Sequence, residues 1–387
     1  MKKILSLLLL CSLSACGSIA QKGIPRLKGG AVVSPEPRAA EVGAQVLRDG
    51  GNAVDASVAT FFALAVTFPQ AGNLGGGGFM LVSQDQEVEA LDYREKAPLS
   101  AHRDLYLNEK GEVVPGLSLK THLASGVPGS VQGMWEAHRR FGSLPWKRLL
   151  APAIRLAREG IQLTKNEADR FSRGPGHANF QKYFRGKAGE RFVQLELGKT
   201  LSRIAEQGPD GFYRGETADL IVAEMNRGNG QITRKDLESY RAIWRKPVHG
   251  TYRGRDVYSM CPPSSGGIAV VQILNMLEGF SIPAHNSANY LHLLAEIEKQ
   301  VFADRSVHLG DSDFVSVPAF LTSKKYALKR AAHISLDRKT SPKSISHGRG
   351  ESEETTHFSV VDRWGNGVSN TTTLNGSFGS GIVVEGA

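Results

Sequence analysis

A short segment near the carboxyl end of the sequence carries the residues best suited to covalent chemistry. Residues 354–362 place Thr356, Phe358 and Val360 on one face, which predicts a strand that begins directly after a polar stretch. Residues 368–373 predict the second strand of a hairpin. A threonine that becomes the first residue of a chain after cleavage can act as a nucleophile, with its own α-amine as the base. Threonine is also common at strand starts, so a structural role is the alternative.

Other catalytic classes find little support. The eleven histidines include no His-Glu-x-x-His pattern, and the three cysteines have no ligand spacing. A Gly-x-Ser-x-Gly elbow is also missing. The glycine run at residues 72–78 lacks a following Lys-Ser/Thr and leads into a strand, which favours a close backbone approach lining a pocket over phosphate binding. Asp311 and Asp313 could indicate calcium, but without the rest of a ligand loop they favour a solvated turn.

A site built around a threonine nucleophile must be positioned by the strands and helices near the glycine run. Two strands are predicted directly after it, over residues 79–82 and 88–93, and a further strand over residues 257–260. Helical spacing is found over residues 38–48, 53–68, 153–159, 165–171, 197–206, 218–227, 268–277 and 290–303. Residues 324–352 are basic and then polar, which predicts an exposed loop or linker.

The amino terminus has the pattern of a targeting segment. Lys2 and Lys3 precede a mostly apolar run over residues 4–10, which is too short to span a bilayer stably. Residues 13–16 read Leu-Ser-Ala-Cys and resemble a bacterial lipobox, in which Cys16 would carry a diacylglycerol. The pattern predicts export across the inner membrane, a periplasmic location and a lipid anchor, with the outer membrane favoured. A plain signal peptide that happens to contain a cysteine is the alternative.

Composition narrows the class of protein further. The 387 residues are 41% hydrophobic and 22% charged, which excludes wholesale disorder and fibrous repeats. The excess of 47 basic over 38 acidic residues is scattered along the chain, so a solvated surface is favoured over nucleic-acid binding. Cys261 is the only thiol beyond residue 16, and no disulfide framework is expected.

Five separated motifs, in the same order, resemble those of the γ-glutamyltranspeptidases, also called glutathione hydrolases. They lie at residues 49–56 (DGGNAVDA), 69–80 (PQAGNLGGGGFM), 92–95 (DYRE), 262–267 (PPSSGG) and 355–357 (TTH). The resemblance covers nearly the whole chain from about Gly30 onward. It implies an α+β fold, the four-layer αββα sandwich of N-terminal nucleophile hydrolases, with the helical middle of the chain packed around it.

The resemblance also implies roles for individual residues. The family cleaves itself before the first threonine of its Thr-Thr-His motif, which here is the bond between Glu354 and Thr355. Thr355 would then be the catalytic nucleophile, and Thr373 matches the threonine that hydrogen-bonds it. Arg94 matches the arginine that binds the substrate α-carboxylate, a task suited to its planar fork of donors. Asn375 matches the residue near the substrate α-amino group.

Alternatives remain for several of these residues. Without the motif, Arg94 would be interpreted as an ion-pair partner of Glu95 or Asp92. Thr356 is the second candidate for the nucleophile. His357 is assigned a structural role, because its neighbour would already have an amine base.

The implied substrates are glutathione and other γ-glutamyl compounds, with water, amino acids or peptides as acceptors. The resemblance implies pairing of a large and a small subunit after cleavage, and no cofactor or metal. It divides the chain into a signal peptide (1–15), an anchor or linker (16–29), a large-subunit region (30–354) and the start of a small-subunit region (355–387).

The family has a long small subunit, which carries further substrate ligands and a Gly-Gly oxyanion hole, whereas this sequence reaches only Ala387. We therefore expect a fold that is incomplete at its carboxyl end. Since loss of one oxyanion donor typically costs about 100-fold or more in rate, this chain by itself is expected to have little activity, and the enzyme is expected to function when a downstream segment completes it. The alternative function is that of a lipid-anchored, non-catalytic remnant or binding protein.

Overall fold

The structure is a computed structural model that describes residues 29–177, 179–341 and 355–387. The predicted signal peptide, Cys16 and Glu354 lie outside these residues. Within them, no helix is long and apolar enough to cross a membrane.

A six-stranded sheet forms the centre of the fold. Its strands are antiparallel neighbours in the order β1-β9-β10-β2-β3-β6. The six strands are β1 (Ala31–Val33), β2 (Gly77–Gln84), β3 (Glu87–Asp92), β6 (Ile243–Arg245), β9 (Thr355–Val361) and β10 (Gly367–Thr373). Two small hairpins accompany it, formed by β4 (Ile161–Gln162) with β5 (Arg191–Phe192), and by β7 (Val248–Tyr252) with β8 (Arg255–Ser259).

Helices pack against one face of this sheet, and the later helices of the chain form a second core. The helices of the first part of the chain are α1 (Pro37–Arg48), α2 (Ala53–Thr67), α3 (Ser130–Phe141), α4 (Trp146–Glu159), α5 (Lys165–Ser172), α6 (Phe180–Tyr183), α7 (Leu195–Gln207), α8 (Asp210–Tyr213), α9 (Gly215–Arg227) and α10 (Arg234–Ser239). The later helices are α11 (Gly266–Leu277), α12 (Ala288–His308) and α13 (Lys324–Ala331). A helix is found at every segment with predicted helical spacing, although α4 begins seven residues before the predicted segment 153–159 and α12 extends five residues beyond the predicted segment 290–303.

Helix α2 is the centre of the main core. All of its residues are buried, and it packs against α1, α4, β9 and β10. Asn52 and Asp55 form a reciprocal capping box at its amino end, and the Asp55 carboxylate also accepts the backbone N–H of Ser143 at 2.9 Å. A helix that is apolar all round needs such complete cover, since every exposed apolar face would lose stabilisation.

The predicted carboxyl-terminal hairpin is confirmed. Strand β9 pairs with β10 so that Thr355 lies opposite Thr373 and Thr356 opposite Thr372. The alternate residues Phe358 and Val360 are buried in the core beneath α2. The core face of the hairpin is therefore fixed by the two-residue period of the strand.

The prediction of a loop over residues 324–352 was wrong in its first part. Residues Lys324–Ala331 form α13, which Ser323 caps by accepting the backbone N–H of Tyr326 at 3.2 Å. Ala327 and Ala331 are one turn apart and pack in a second core with residues of α11 and α12. The helix buries two small side chains, a pattern too short and weak to be recognised as apolar periodicity.

Asp362 joins the hairpin to the helix layer. One carboxylate oxygen, Oδ2, accepts the backbone N–H of Ala53 at 3.1 Å, at the amino end of α2. The other, Oδ1, accepts the backbone N–H groups of Trp364 and Asn366 at 2.9 and 3.0 Å, in the turn between β9 and β10. The carboxylate is buried, and it faces the positive end of the helix dipole.

Replacement of Asp362 by alanine should therefore destabilise the fold. We expect a loss of about 2–4 kcal/mol in the free energy of unfolding, because buried backbone donors lose a charged acceptor. The midpoint of urea denaturation measures this. Asp85→Asn, at the exposed turn between β2 and β3, is the control and should leave the midpoint nearly unchanged. An Asp362→Ala variant as stable as the wild type would contradict the role of this carboxylate.

Candidate active site

The strand ends place Thr355 and Thr373 side by side. In the sheet register Thr355 lies opposite Thr373, and Thr373 in turn lies opposite Gly77 on β2. Residues directly opposite in antiparallel strands project to the same face of the sheet. The two threonines therefore share one face at one end of the sheet.

This face is the one away from the helical core. Thr355 is exposed, whereas Thr356 is 3% exposed and lies on the core face with Phe358. Thr373 is 5% exposed and accepts the backbone N–H of Asn375 at its Oγ1, at 2.8 Å. Of the two adjacent threonines, Thr355 alone presents its side chain where a substrate could reach it.

The glycine run connects this end of the sheet to the core, as the sequence predicts. A Cβ on Gly76 would lie 2.2 Å from the carbonyl oxygen of Thr373, and one on Gly77 would lie 2.5 Å from that of Tyr93. Such distances are shorter than any real Cβ contact, so glycine is required at both positions. The run permits a close backbone approach, and no helix begins directly after it.

Asn73, within the glycine run, is a positioning residue that the sequence interpretation missed. Its side-chain Nδ2 donates to Thr372 Oγ1 and to the carbonyl oxygen of Thr373, both at 3.3 Å. Its Oδ1 accepts the backbone N–H of Gly76 and the hydroxyl of Ser130, both at 2.8 Å. The amide is buried and ties the glycine run to the end of β10. The only sequence feature that could have indicated this role is the presence of an asparagine among glycines.

Arg94 lies just after β3, and both its backbone N–H and its backbone carbonyl oxygen are hydrogen-bonded to side chains. Its backbone N–H donates to Asp92 Oδ1 at 3.0 Å, and its carbonyl oxygen accepts the hydroxyl of Tyr240 at 2.7 Å. The side chain is 39% exposed, with Cζ 5.7 Å from the centre of the Phe79 ring and Nε 3.4 Å from Glu95 Oε2. The ion pair with Glu95 that the residue types allow is therefore present, while Asp92 holds the backbone of Arg94.

Arg94 and Asn375 line the same cavity, which has a volume of about 530 Å³. Glu95, Lys96 and Ser125 also line it, together with a larger number of apolar residues. Asn375 has φ +70°, a left-handed conformation that asparagine tolerates better than most residues. Thr355 and Thr373 lie at the end of the sheet and are not among the residues that line this cavity.

Burial shifts the pKa of two groups in this region. It raises the pKa of the Glu95 carboxyl group above its ordinary value, and the adjacent Arg94 charge opposes this shift. Burial lowers the pKa of His357. His357 contacts Thr371 Oγ1 at 2.8 Å and Ser359 Oγ at 3.1 Å, which is consistent with a structural role in the hairpin.

The described part of the chain contains no group of three or more His, Cys, Asp or Glu side chains that could hold a metal ion. Asp311 and Asp313 form the expected turn, in which Asp311 Oδ1 accepts the backbone N–H of Asp313 at 2.9 Å. Asp313 also forms a bidentate ion pair with Arg245, which the sequence interpretation missed.

An exposed threonine at the start of a strand, in a sheet packed against helices, is the arrangement expected for the class of N-terminal nucleophile hydrolases. Comparison with solved structures agrees. The chain is similar to a γ-glutamyltranspeptidase from Pseudomonas nitroreducens complexed with L-DON, with a TM-score of 0.79 and 49% sequence identity over 83% of this chain and 98% of that chain. The expected fold is thus confirmed, and the described residues contain a helical layer and one large sheet of it.

The chain belongs to the γ-glutamyltranspeptidase family, whose family model matches residues 39–387. It is 51% identical over 371 residues to a glutathione hydrolase proenzyme of Pseudomonas aeruginosa, covering 93% of this chain and 66% of that protein. It is 47% identical over 375 residues to a glutathione hydrolase proenzyme of Escherichia coli, covering 92% of this chain and 65% of that protein. The chain thus spans about two thirds of the length of these relatives.

Two adjacent glycines provide a matched test of the site's packing. Gly76→Ala should destabilise the protein by roughly 1–3 kcal/mol, because the new methyl group would overlap the Thr373 carbonyl. Gly75→Ala should change stability little, since nothing lies within 4 Å of a Cβ there. Urea denaturation of both variants measures the difference. Equal stability of the two would contradict the close approach of the glycine run to β10.

Proposed function

We propose that this chain acts as a glutathione hydrolase and γ-glutamyltransferase proenzyme with Thr355 as its nucleophile. The observation that carries the proposal is the placement of Thr355, which is exposed at the start of β9, opposite Thr373 and on the face away from the core. The similarity to two glutathione hydrolase proenzymes supports the same activity. It favours an enzyme over the alternative of a non-catalytic binding protein.

The first proposed step is cleavage of the chain's own Glu354–Thr355 bond. Thr355 Oγ attacks the carbonyl carbon of Glu354, and its proton passes to the departing amide nitrogen of Thr355. The resulting ester is hydrolysed by water, which leaves a carboxylate on Glu354 and a free α-amine on Thr355. The products are residues up to 354 and the fragment that begins at Thr355.

The second proposed step is transfer of a γ-glutamyl group. The α-amine of Thr355, whose ordinary pKa is about 7.7–8.0, accepts the proton of Oγ as it attacks the γ-carbonyl of the donor. The proton then passes to the leaving amine, which is cysteinylglycine when glutathione is the donor. Water or an amine acceptor resolves the γ-glutamyl ester and regenerates Thr355.

Arg94 and Asn375 are proposed to hold the donor. The guanidinium group of Arg94 offers parallel N–H donors that match a carboxylate, and Arg94 lines the same cavity as Asn375. Thr373 is proposed to hydrogen-bond the nucleophile, from its position opposite Thr355. The two fragments are proposed to stay paired after cleavage, because β9 and β10 lie between β1 and β2 in one sheet.

Substitution of the nucleophile should stop the cleavage. We expect Thr355→Ala to leave a single uncleaved chain, because the attacking hydroxyl is gone. Thr356→Ala is the control and should still be cleaved at the same bond, since Thr356 faces the core. Gel electrophoresis and amino-terminal sequencing measure both outcomes. Normal cleavage of Thr355→Ala, or cleavage lost only in Thr356→Ala, would contradict the assignment.

We also propose that Cys16 carries a lipid that anchors the protein on the periplasmic side of a bacterial membrane, the outer membrane being favoured. The support is the match of residues 13–16 to a lipobox after an apolar run. Each acyl methylene buried in the bilayer contributes about 0.8 kcal/mol.

The anchor predicts a difference between two cysteine variants. Cys16→Ala should lose membrane association and processing of its signal peptide, whereas Cys11→Ala should keep both, since Cys11 lies outside the lipobox. Partition between detergent and aqueous phases measures the anchor. A Cys16→Ala protein that is still membrane-associated and normally processed would exclude it.

A further inference from the structure

Asp92 lies at the end of β3 and connects the backbone of Arg94 to a distant part of the chain. Its Oδ1 accepts the backbone N–H of Arg94 at 3.0 Å, and its Oδ2 accepts Nε of Arg245 at 2.9 Å. The Asp92 side chain is 8% exposed and that of Arg245 is 14% exposed. Both oxygens of a largely buried carboxylate are thus used, and its orientation is fixed by two partners.

Arg245 is in turn fixed by Asp313. Its Nη1 and Nη2 donate to Asp313 Oδ1 and Oδ2, both at 2.8 Å, as a bidentate pair. Asp313 lies in the turn beyond α12, in the part of the chain that holds the second core. The guanidinium fork therefore bridges β3 of the central sheet and the turn after α12, which a single ammonium group could not do with the same geometry.

Arg94 lies just beyond the part of the chain that pairs with β2. The β2–β3 ladder ends with Asp92 opposite Phe79, and Tyr93 still exchanges two backbone hydrogen bonds with Gly78, at 3.0 and 3.2 Å, so Arg94 is the first residue without a partner on β2. The Asp92 carboxylate accepts the backbone N–H of Arg94, and the Tyr240 hydroxyl donates to the Arg94 carbonyl oxygen at 2.7 Å. These two hydrogen bonds orient the backbone of Arg94. Displacement of a group that binds substrate is expected to weaken binding of the donor.

We propose that Arg245 is a positioning residue for Arg94, acting through Asp92 and held by Asp313, so that the bridge sets the affinity for the carboxylate of the donor. This rests on the proposed function in one respect, since it takes Arg94 as the carboxylate-binding group. The bridge orients Arg94 and does not touch the reacting atoms.

The modification of arginine side chains by phenylglyoxal tests the positioning without any need for activity. The full chain is labelled briefly, and the extent of modification at Arg94 is measured by peptide mass spectrometry, relative to the other arginines of the same molecule. We expect Arg94 to be modified several-fold faster in Arg245→Met, because its backbone is released. Arg245→Lys should lie between the two, since one ammonium can keep only part of the bridge.

Arg148→Met is the matched control. Arg148 forms an exposed ion pair with Asp49 at 2.9 Å, so the variant removes an arginine–aspartate pair without touching Asp92. Arg94 should be modified at the wild-type rate there. Asp313→Asn replaces the half-exposed end of the bridge and gives a second variant if Arg245→Met does not fold. A folded Arg245→Met, or failing that a folded Asp313→Asn, with wild-type modification of Arg94 would overturn the proposal.

Kinetics with a γ-glutamyl anilide separate positioning from a general loss of stability. We expect the KM for the donor to rise roughly tenfold in Arg245→Met, while kcat stays within about a factor of two of the wild-type value. This is the result expected when the lost interaction stabilises the bound substrate and the transition state equally. A fall in kcat with unchanged KM would contradict the positioning role. A wild-type chain without turnover would count against the proposed function, and the labelling of Arg94 would then still decide the role of Arg245.

Discussion

The pairing of β9 with β10 is the constraint on which the rest of the site depends. Thr355 lies opposite Thr373 in this register, and Thr373 lies opposite Gly77. A slip of one residue would turn Thr355 into the core and bring Thr356 to the open face, because side chains alternate along a strand. The burial of Phe358 and Val360 beneath α2 prevents that slip, so the hydrophobic core selects the threonine that is exposed.

Buried polar side chains then hold the remaining parts of the site in place relative to the β9–β10 hairpin. Asp362 fastens the turn of the hairpin to the amino end of α2, and Asn73 fastens the glycine run to the end of β10. Asp92 performs the same task for Arg94. Each of these side chains is buried with its hydrogen bonds formed, as a precise site requires, since an unmade bond at a buried polar group would cost stability.

The sequence predicts the parts of this structure that follow from local pattern. The helix over residues 53–67, the β9–β10 hairpin and the close approach of the glycines all follow from apolar periodicity and residue type. Helix α13 was missed because its buried face consists of two alanines. The role of Asn73 and the bridge from Arg245 to Asp92 and Asp313 could not be found, because they join residues far apart in sequence through single side-chain contacts.

The proposed role of Thr355 as the nucleophile of a γ-glutamyl transfer is tested most directly by the mass of the protein after incubation with glutathione and an acid quench. We expect the fragment beginning at Thr355 to gain the mass of one γ-glutamyl group, with the ester on Thr355 itself. An adduct on the fragment that ends at residue 354, or on a fragment that begins at Thr356, would contradict it.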